Sequence, residues 1–315
     1  MAWRPTAPRE TLVARAGLLQ RIRSHFAAAE VLEVDTPLLG LAGAADPALQ
    51  SLCVDLPAGR RYLQTSPEFA MKRLLAAGSG SIYQICKAFR GEEQSRLHRG
   101  EFTMLEWYRV GFDHHQLMDE VAAIVRLALP DLSIERLSLA ALAAQIGAAN
   151  PHTSTTQELA EYARSRGAVL SSADAADRTL LLDLLLEELV RVGVGNSRAA
   201  FVYDFPVEQA AYARLRHDQP PVAERFELVV HGVELANGYH EVTDPAEQQL
   251  RFEREAALRH ARGLPPPVID TQLLAAINSG LPASAGVALG VDRLLMLALN
   301  ARELGEVLAF GADCN

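Results

Sequence analysis

Residues Phe89 to Tyr108, FRGEEQSRLHRGEFTMLEWY, read as the end of one strand, a charged loop and a returning strand. The run over 81–89 stops at Arg90, Glu92, His98 and Arg99 fall in the loop, and the return covers 102–110. A period of two puts Phe102, Met104, Glu106 and Tyr108 on one face of that return. Thr103, Leu105, Trp107 and Arg109 share the other. A charged hairpin tip is ordinarily a solvated surface, and for Arg90, Glu92 and His98 alone that reading suffices. Glu106 resists it. A carboxylate among aromatic neighbours inside an apolar strand is costly to bury unpaired.

Working outward, Leu12, Ala16, Leu19, Ile22 and Phe26 recur at helical spacing and predict a helix over 9–30. Residues 31–39 turn extended, with Pro37 blocking a helix. A hairpin is expected over 49–63, turning at Pro57-Ala58-Gly59. Ser66-Pro67-Glu68 has the chemistry of a helix start: Ser66 as cap, Pro67 at the first helical position, Glu68 towards the positive dipole end. That reading needs no ligand. Residues 114–193, rich in Ala and Leu, read as a mainly helical insertion. Strands return at 200–205 and 225–236, the latter split by His231-Gly232, and a charged helix follows over 245–262. Strands, a helical insertion and more strands predict an α+β fold, a mostly antiparallel sheet flanked by helices. No linker separates two domains, so 1–315 is expected to form one.

Hydrophobic residues make up 49% and charged residues 22%, with a formal net charge of −9, which argues against a broad nucleic-acid-binding face. Cys53, Cys86 and Cys314 have no metal-site spacing and are expected to be reduced thiols. Without a membrane-spanning run or a leader-like N-terminus, a cytoplasmic protein is expected.

Two further clusters carry chemistry. Glu234 and Glu241 stand seven apart with Asn237 and Gly238 between them, a pair that could hold Mg²⁺ or face a cation, or simply lie on the surface. In Gly286-Val287-Ala288-Leu289-Gly290-Val291-Asp292-Arg293, the two glycines permit close backbone approach, or mark a bulge. Arg293, unfavourable at a helix start, needs a partner such as a phosphate.

Taken in order, these segments resemble the signature of the class II aminoacyl-tRNA synthetases. Residues 31–39 resemble motif 1, residues 89–108 motif 2 and residues 286–293 motif 3. Within the class the likeness is to lysyl-tRNA synthetases, through Ser66-Pro67-Glu68 to Lys72-Arg73-Leu74, 101–108 and 234–241, and it spans roughly residues 9–310. Those synthetases carry an anticodon-binding OB domain ahead of motif 1. Only about 30 residues precede it here, so none is expected. The core, with Thr65-Ser66-Pro67-Glu68, is then similar to the family of ligases that attach (R)-β-lysine to a lysine side chain of elongation factor P. Ala288, where lysyl synthetases tend to have Gly, agrees with that family.

The resemblance implies a homodimer that takes ATP, Mg²⁺, (R)-β-lysine and elongation factor P, with no tRNA and no membrane. It makes Arg90 and Arg293 the catalytic arginines, on the α- and γ-phosphates. Phe102 and Arg293 would sandwich adenine, Glu92 would read its edge, and His98 would lie near the phosphates. Gly91, Arg99, Leu235 and Gly290 would complete the ATP site, and Glu234 with Glu241 would hold Mg²⁺. Ser66, Pro67, Glu68, Glu106, Tyr108, Asn237, Glu241 and Ala288 would take the amino acid. Arg99 departs from the family's usual Asn, which puts the Asn contact to ATP in question, though a guanidinium could serve a phosphate; Gly91, in place of another common Asn, is tolerable if only its backbone is used. The alternatives are a lysyl-tRNA synthetase-like paralogue using α-lysine with an RNA or small acceptor, and a non-catalytic binding paralogue. The last has no reason to keep both arginines and both acids.

Overall fold

The computed structural model describes residues 3–46, 49–91 and 95–311. Helix α1 (Arg9–Ala28) forms on its apolar stripe and buries Leu18, Ile22 and Phe26, while Leu12 stays exposed at the stripe's edge. Strands β1 (Leu32–Glu33) and β2 (Leu39–Gly40) follow, then the hairpin β3 (Cys53–Leu56) and β4 (Gly59–Leu63), where Gly59 takes the positive φ of the turn.

Helix α2 (Glu68–Ala76) opens one residue later than expected, with Pro67 as its cap residue. Ser66 instead accepts from the Glu68 amide at 3.0 Å as a local turn. Strands β5 (Ile82–Phe89) and β6 (Glu101–Val110) form the hairpin around the loop.

Beyond them lie α3 (His114–Arg126), a short β7 (Glu135–Ser138) within the stretch read as helical, α4 (Leu139–Ile146), α5 (Thr156–Ser165) and α6 (Arg178–Glu188). Strand β8 (Ala199–Phe205), the two-residue β9 (Leu215–Arg216), β10 (Val222–Val230) and β11 (Val233–His240) come next. His231 and Gly232 both have positive φ, the geometry of a two-residue hairpin. The chain closes with α7 (Pro245–Ala261), α8 (Thr271–Gly280), β12 (Ser284–Gly290) and α9 (Val291–Ala298).

The main sheet runs β1-β5-β6-β12-β11-β10-β8-β7, with β9 beside β10. All its pairings are antiparallel except β1 with β5 and β7 with β8. Its two faces differ. Leu105 and Trp107 of β6 pack with Phe26, Tyr83, Val121 and Val125 under α1 and α3. Trp107 and Phe26 lie edge to face at 5.6 Å, and burying each such side chain contributes about 1.5–3 kcal/mol. The other face, which carries Met104, Glu106 and Tyr108, is left open over a cleft.

Candidate active site

The cleft is written in the register of three central strands. Tyr108 of β6 pairs with Gly286 of β12, which pairs with Tyr239 of β11. One step along, Glu106, Ala288 and Asn237 stand in a row, and Gly290 pairs with Met104. All of these line one cavity of about 570 Å³. Its floor is therefore the small-residue stripe Gly286, Ala288, Gly290, with larger side chains rising on both sides.

Gly286 is required there. A Cβ would lie 2.3 Å from the Tyr108 ring and 2.5 Å from Glu241 Oε1. At Gly290 a Cβ would meet only the Arg293 side chain at ordinary contact distance, so protein packing does not demand glycine there.

Residues seven apart on a regular strand point to opposite faces, yet Glu234 and Glu241 both line the cleft. A β-bulge resolves this. The pairing shifts from Leu228–Ala236 to Val229–Glu234, which leaves Leu235 as the extra residue. Leu235 sends its side chain into the core, so only its backbone can meet a ligand.

One end of the cleft is anionic. Glu106 is buried and accepts from Ser66 Oγ and from the Tyr108 hydroxyl, each at 2.7 Å. Burial, and then the neighbouring Glu68, raise its pKa to about 8. Lys72, fully buried, bridges Glu68 and Glu241 at 2.6 Å each and sits over the Tyr212 ring. Desolvation alone would neutralise Lys72, but the two carboxylates outweigh it and hold its pKa above the ordinary value. Glu255 also lines this end, pushed up to about 7 by burial and by Asp46 and Glu68. Beside it, Arg225 stacks on Phe205, reaches Glu227 at 2.5 Å and donates to Asn237 Oδ1 at 3.3 Å.

The other end is cationic. Arg90 lies over the Phe102 ring at 5.2 Å, and its buried Nε has no hydrogen-bond partner among the described residues. Arg293 donates to the carbonyls of Glu234, at 2.8 Å, and Leu97, at 3.2 Å. His98 Nδ1 meets Ser95 Oγ at 2.8 Å. Arg99 turns its guanidinium onto the carbonyls of Ser95 and His98. Glu92 lies outside the described residues.

The family described as "tRNA synthetases class II (D, K and N)" matches residues 1–313. The chain belongs to the class II tRNA synthetases. It is 48% identical to an "Elongation factor P--(R)-beta-lysine ligase" of Vibrio vulnificus (strain YJ016), over 98% of this chain and 97% of that one. Proteins of the same description from Edwardsiella ictaluri (strain 93-146) and Haemophilus ducreyi (strain 35000HP / ATCC 700724) are 46% and 43% identical, over 99% of this chain and 98% and 96% of theirs.

As a class II synthetase fold, the chain brings the described residues singled out from sequence together along the cleft, except Gly91, which is not among its lining, and adds others. At Gly91 a Cβ would meet the Gln50 side chain at 2.2 Å, so Gln50 fills the space a side chain would need. Lys72, Arg225, Glu227, Tyr212 and Glu255 were missed. Lys72 had a signal, its i,i+4 spacing from Glu68, but that spacing ordinarily marks a surface pair. Asp292 was missed too. It accepts from the Thr103 amide at 2.7 Å and from Arg15 at 2.5 Å, anchoring β6 to α9 and α1. Among the described residues no helix is long and apolar enough to cross a membrane. Cys53 and Cys86 are free thiols, and Cys314 lies outside the described residues.

Proposed function

We propose that the chain activates (R)-β-lysine with ATP as an aminoacyl-adenylate and transfers it to a lysine side chain of elongation factor P. The observation that carries this reading is one cleft with a buried carboxylate end and an arginine end on the same strand ladder. Relatives that match nearly the whole chain and bear the corresponding name support it.

In the first step a carboxylate oxygen of the amino acid attacks the α-phosphorus and pyrophosphate leaves. Both reactants are anions, so positioning and charge neutralisation dominate. Arg90, whose Nε has no hydrogen-bond partner among the described residues, would hold the α-phosphate, and Phe102 would offer a face for adenine. Arg293, now on backbone carbonyls, exchanges them for the γ-phosphate. Glu234 is open to solvent, and Glu241 keeps Oε1 clear of Lys72. Two carboxylates on one face suit a hard cation, so these residues would hold Mg²⁺, which offsets triphosphate charge.

At the other end Glu68, Glu106 and Glu241 outnumber Lys72, and the ammonium groups of the substrate would draw Glu106, whose pKa is raised by burial, into its charged form. Asn237 and Tyr108 fix its orientation. In the second step a neutral acceptor amine attacks the acyl carbon, an amide forms and AMP leaves. The chain would act as a single cytoplasmic catalytic unit with 114–193 inserted, working as a homodimer without tRNA.

ATP–pyrophosphate exchange with (R)-β-lysine and with α-lysine tests it. Exchange should favour the β isomer, and elongation factor P should gain the mass of one residue. Preference for α-lysine would move the assignment to a lysyl-tRNA synthetase-like paralogue, and no exchange with either would remove the enzyme reading.

A further inference from the structure

Three buried side chains converge on the face of the sheet turned away from the cleft. His240 of β11 and Glu224 of β10 alternate with the cleft-lining Tyr239, Glu241 and Arg225, so they point the other way. His114, the first residue of α3, meets them there. One ligand atom from each lies within 4.8 Å of the other two, and His240 Nδ1 is 2.9 Å from Glu224 Oε2.

His114 is the anomaly. It is 2% exposed, and neither ring nitrogen has a hydrogen-bond partner among the described residues. Leaving buried polar atoms unpaired costs about 1–3 kcal/mol each. The His115 ring packs on it at 4.1 Å without bonding to it.

We propose that His114, His240 and Glu224 form a binding site for a zinc ion. Two imidazoles and a carboxylate are a zinc donor set, with one position of a tetrahedron left for water. Bonds of ~2.0–2.2 Å set tetrahedral ligands ~3.4 Å from one another, so His240 and Glu224 open by roughly 0.5 Å while the other pairs close by at most roughly 1.4 Å.

Arg214 shares the carboxylate, with Nε 2.7 Å from Oε2 and Nη2 3.1 Å from Oε1. Its side chain is 53% exposed, so it can keep Oε1 from the solvent side and yield Oε2. Arg216 stands 4.0 Å from Oε1 and is itself paired with Asp204. Asp204 also acts on the charges of His114 and His152. The ion would tie the start of α3 to the two strands whose opposite faces build the anionic end of the cleft.

The full-length protein is stripped with chelator, given Zn²⁺ or Co²⁺, and assayed by elemental analysis, cobalt absorption and thermal melting. It should take up about one ion per chain, show the intense visible bands of four-coordinate cobalt, and melt higher with Zn²⁺. His114→Leu, which suits a buried apolar setting, and His240→Asn should each weaken uptake by at least about tenfold and abolish the melting shift. A Cys53→Ser/Cys86→Ser double variant should bind as the parent does. If His114→Leu fails to fold, the His240→Asn measurement decides. No uptake by the parent, or uptake unchanged by the histidine substitutions, overturns the site.

Discussion

Glu106 is buried, and both of its hydrogen bonds come from neutral hydroxyls, so its charge has little compensation until a cation arrives. Such a carboxylate is suited to an incoming ammonium group. Glu106→Gln retains the size and one acceptor but not the charge. We expect kcat/KM for the diamino acid to fall by about 100-fold or more, corresponding to about 3 kcal/mol for a desolvated charge pair, while the fold is retained. Exchange kinetics at varied amino-acid concentration measure this. Unchanged kinetics would take Glu106 out of amine recognition.

Among the elements, β6 holds the site because its start is pinned. Asp292 takes the Thr103 amide and Arg15 into one buried carboxylate, one residue from Phe102. Asp292→Ala strands a buried amide and a guanidinium and should cost about 2–4 kcal/mol in a urea titration, with KM for ATP rising. Asp292→Asn should recover part of both losses, because it still accepts from Thr103. A change in stability alone would show that the anchor does not reach the nucleotide end.

The parity of β6 was legible in the sequence, since a period of two separates Glu106 and Tyr108 from Leu105 and Trp107 and the packing obeys it. The hairpin at His231-Gly232 was legible for the same local reason. The bulge at Leu235 was not, because it arises from pairing with β10 and no residue in β11 announces it. Nor was the bridge from Lys72 to Glu241, whose members lie far apart in the chain and meet only across α2 and the sheet.

For the whole molecule, the acidic cleft sets a pH dependence. Glu106 and Glu255 have pKa values raised to about 8 and about 7, against 4.5 when unperturbed. Between those limits the folded chain binds more protons at these groups than the unfolded chain, so their contribution to stability is lost as pH rises. Buried His114 and His152, with lowered pKa values, act the opposite way, but only below their ordinary value of 6.5. The ligand-free protein should therefore lose stability from about pH 6.5 to about pH 8.5, and Glu106→Gln should flatten the loss. Denaturant midpoints across that range test it; a rising midpoint would mean that other groups govern the window.

On the proposed function, the stripe Gly286, Ala288, Gly290 would act on the substrate as a ruler acts on a rod. Each rung lies two residues along one strand, and each filled rung shortens or shifts what can lie flat against it. On the proposed function, a single methyl at Ala288 would tell apart isomers whose charges are identical and in which one amino group differs by one carbon in position. Ala288→Gly should lower the ratio of β- to α-lysine activation in competition assays, and an unchanged ratio would mean that the graduation is read elsewhere. Selectivity of this kind could drift by one methyl at a time without disturbing Arg90 and Arg293 at the cationic end.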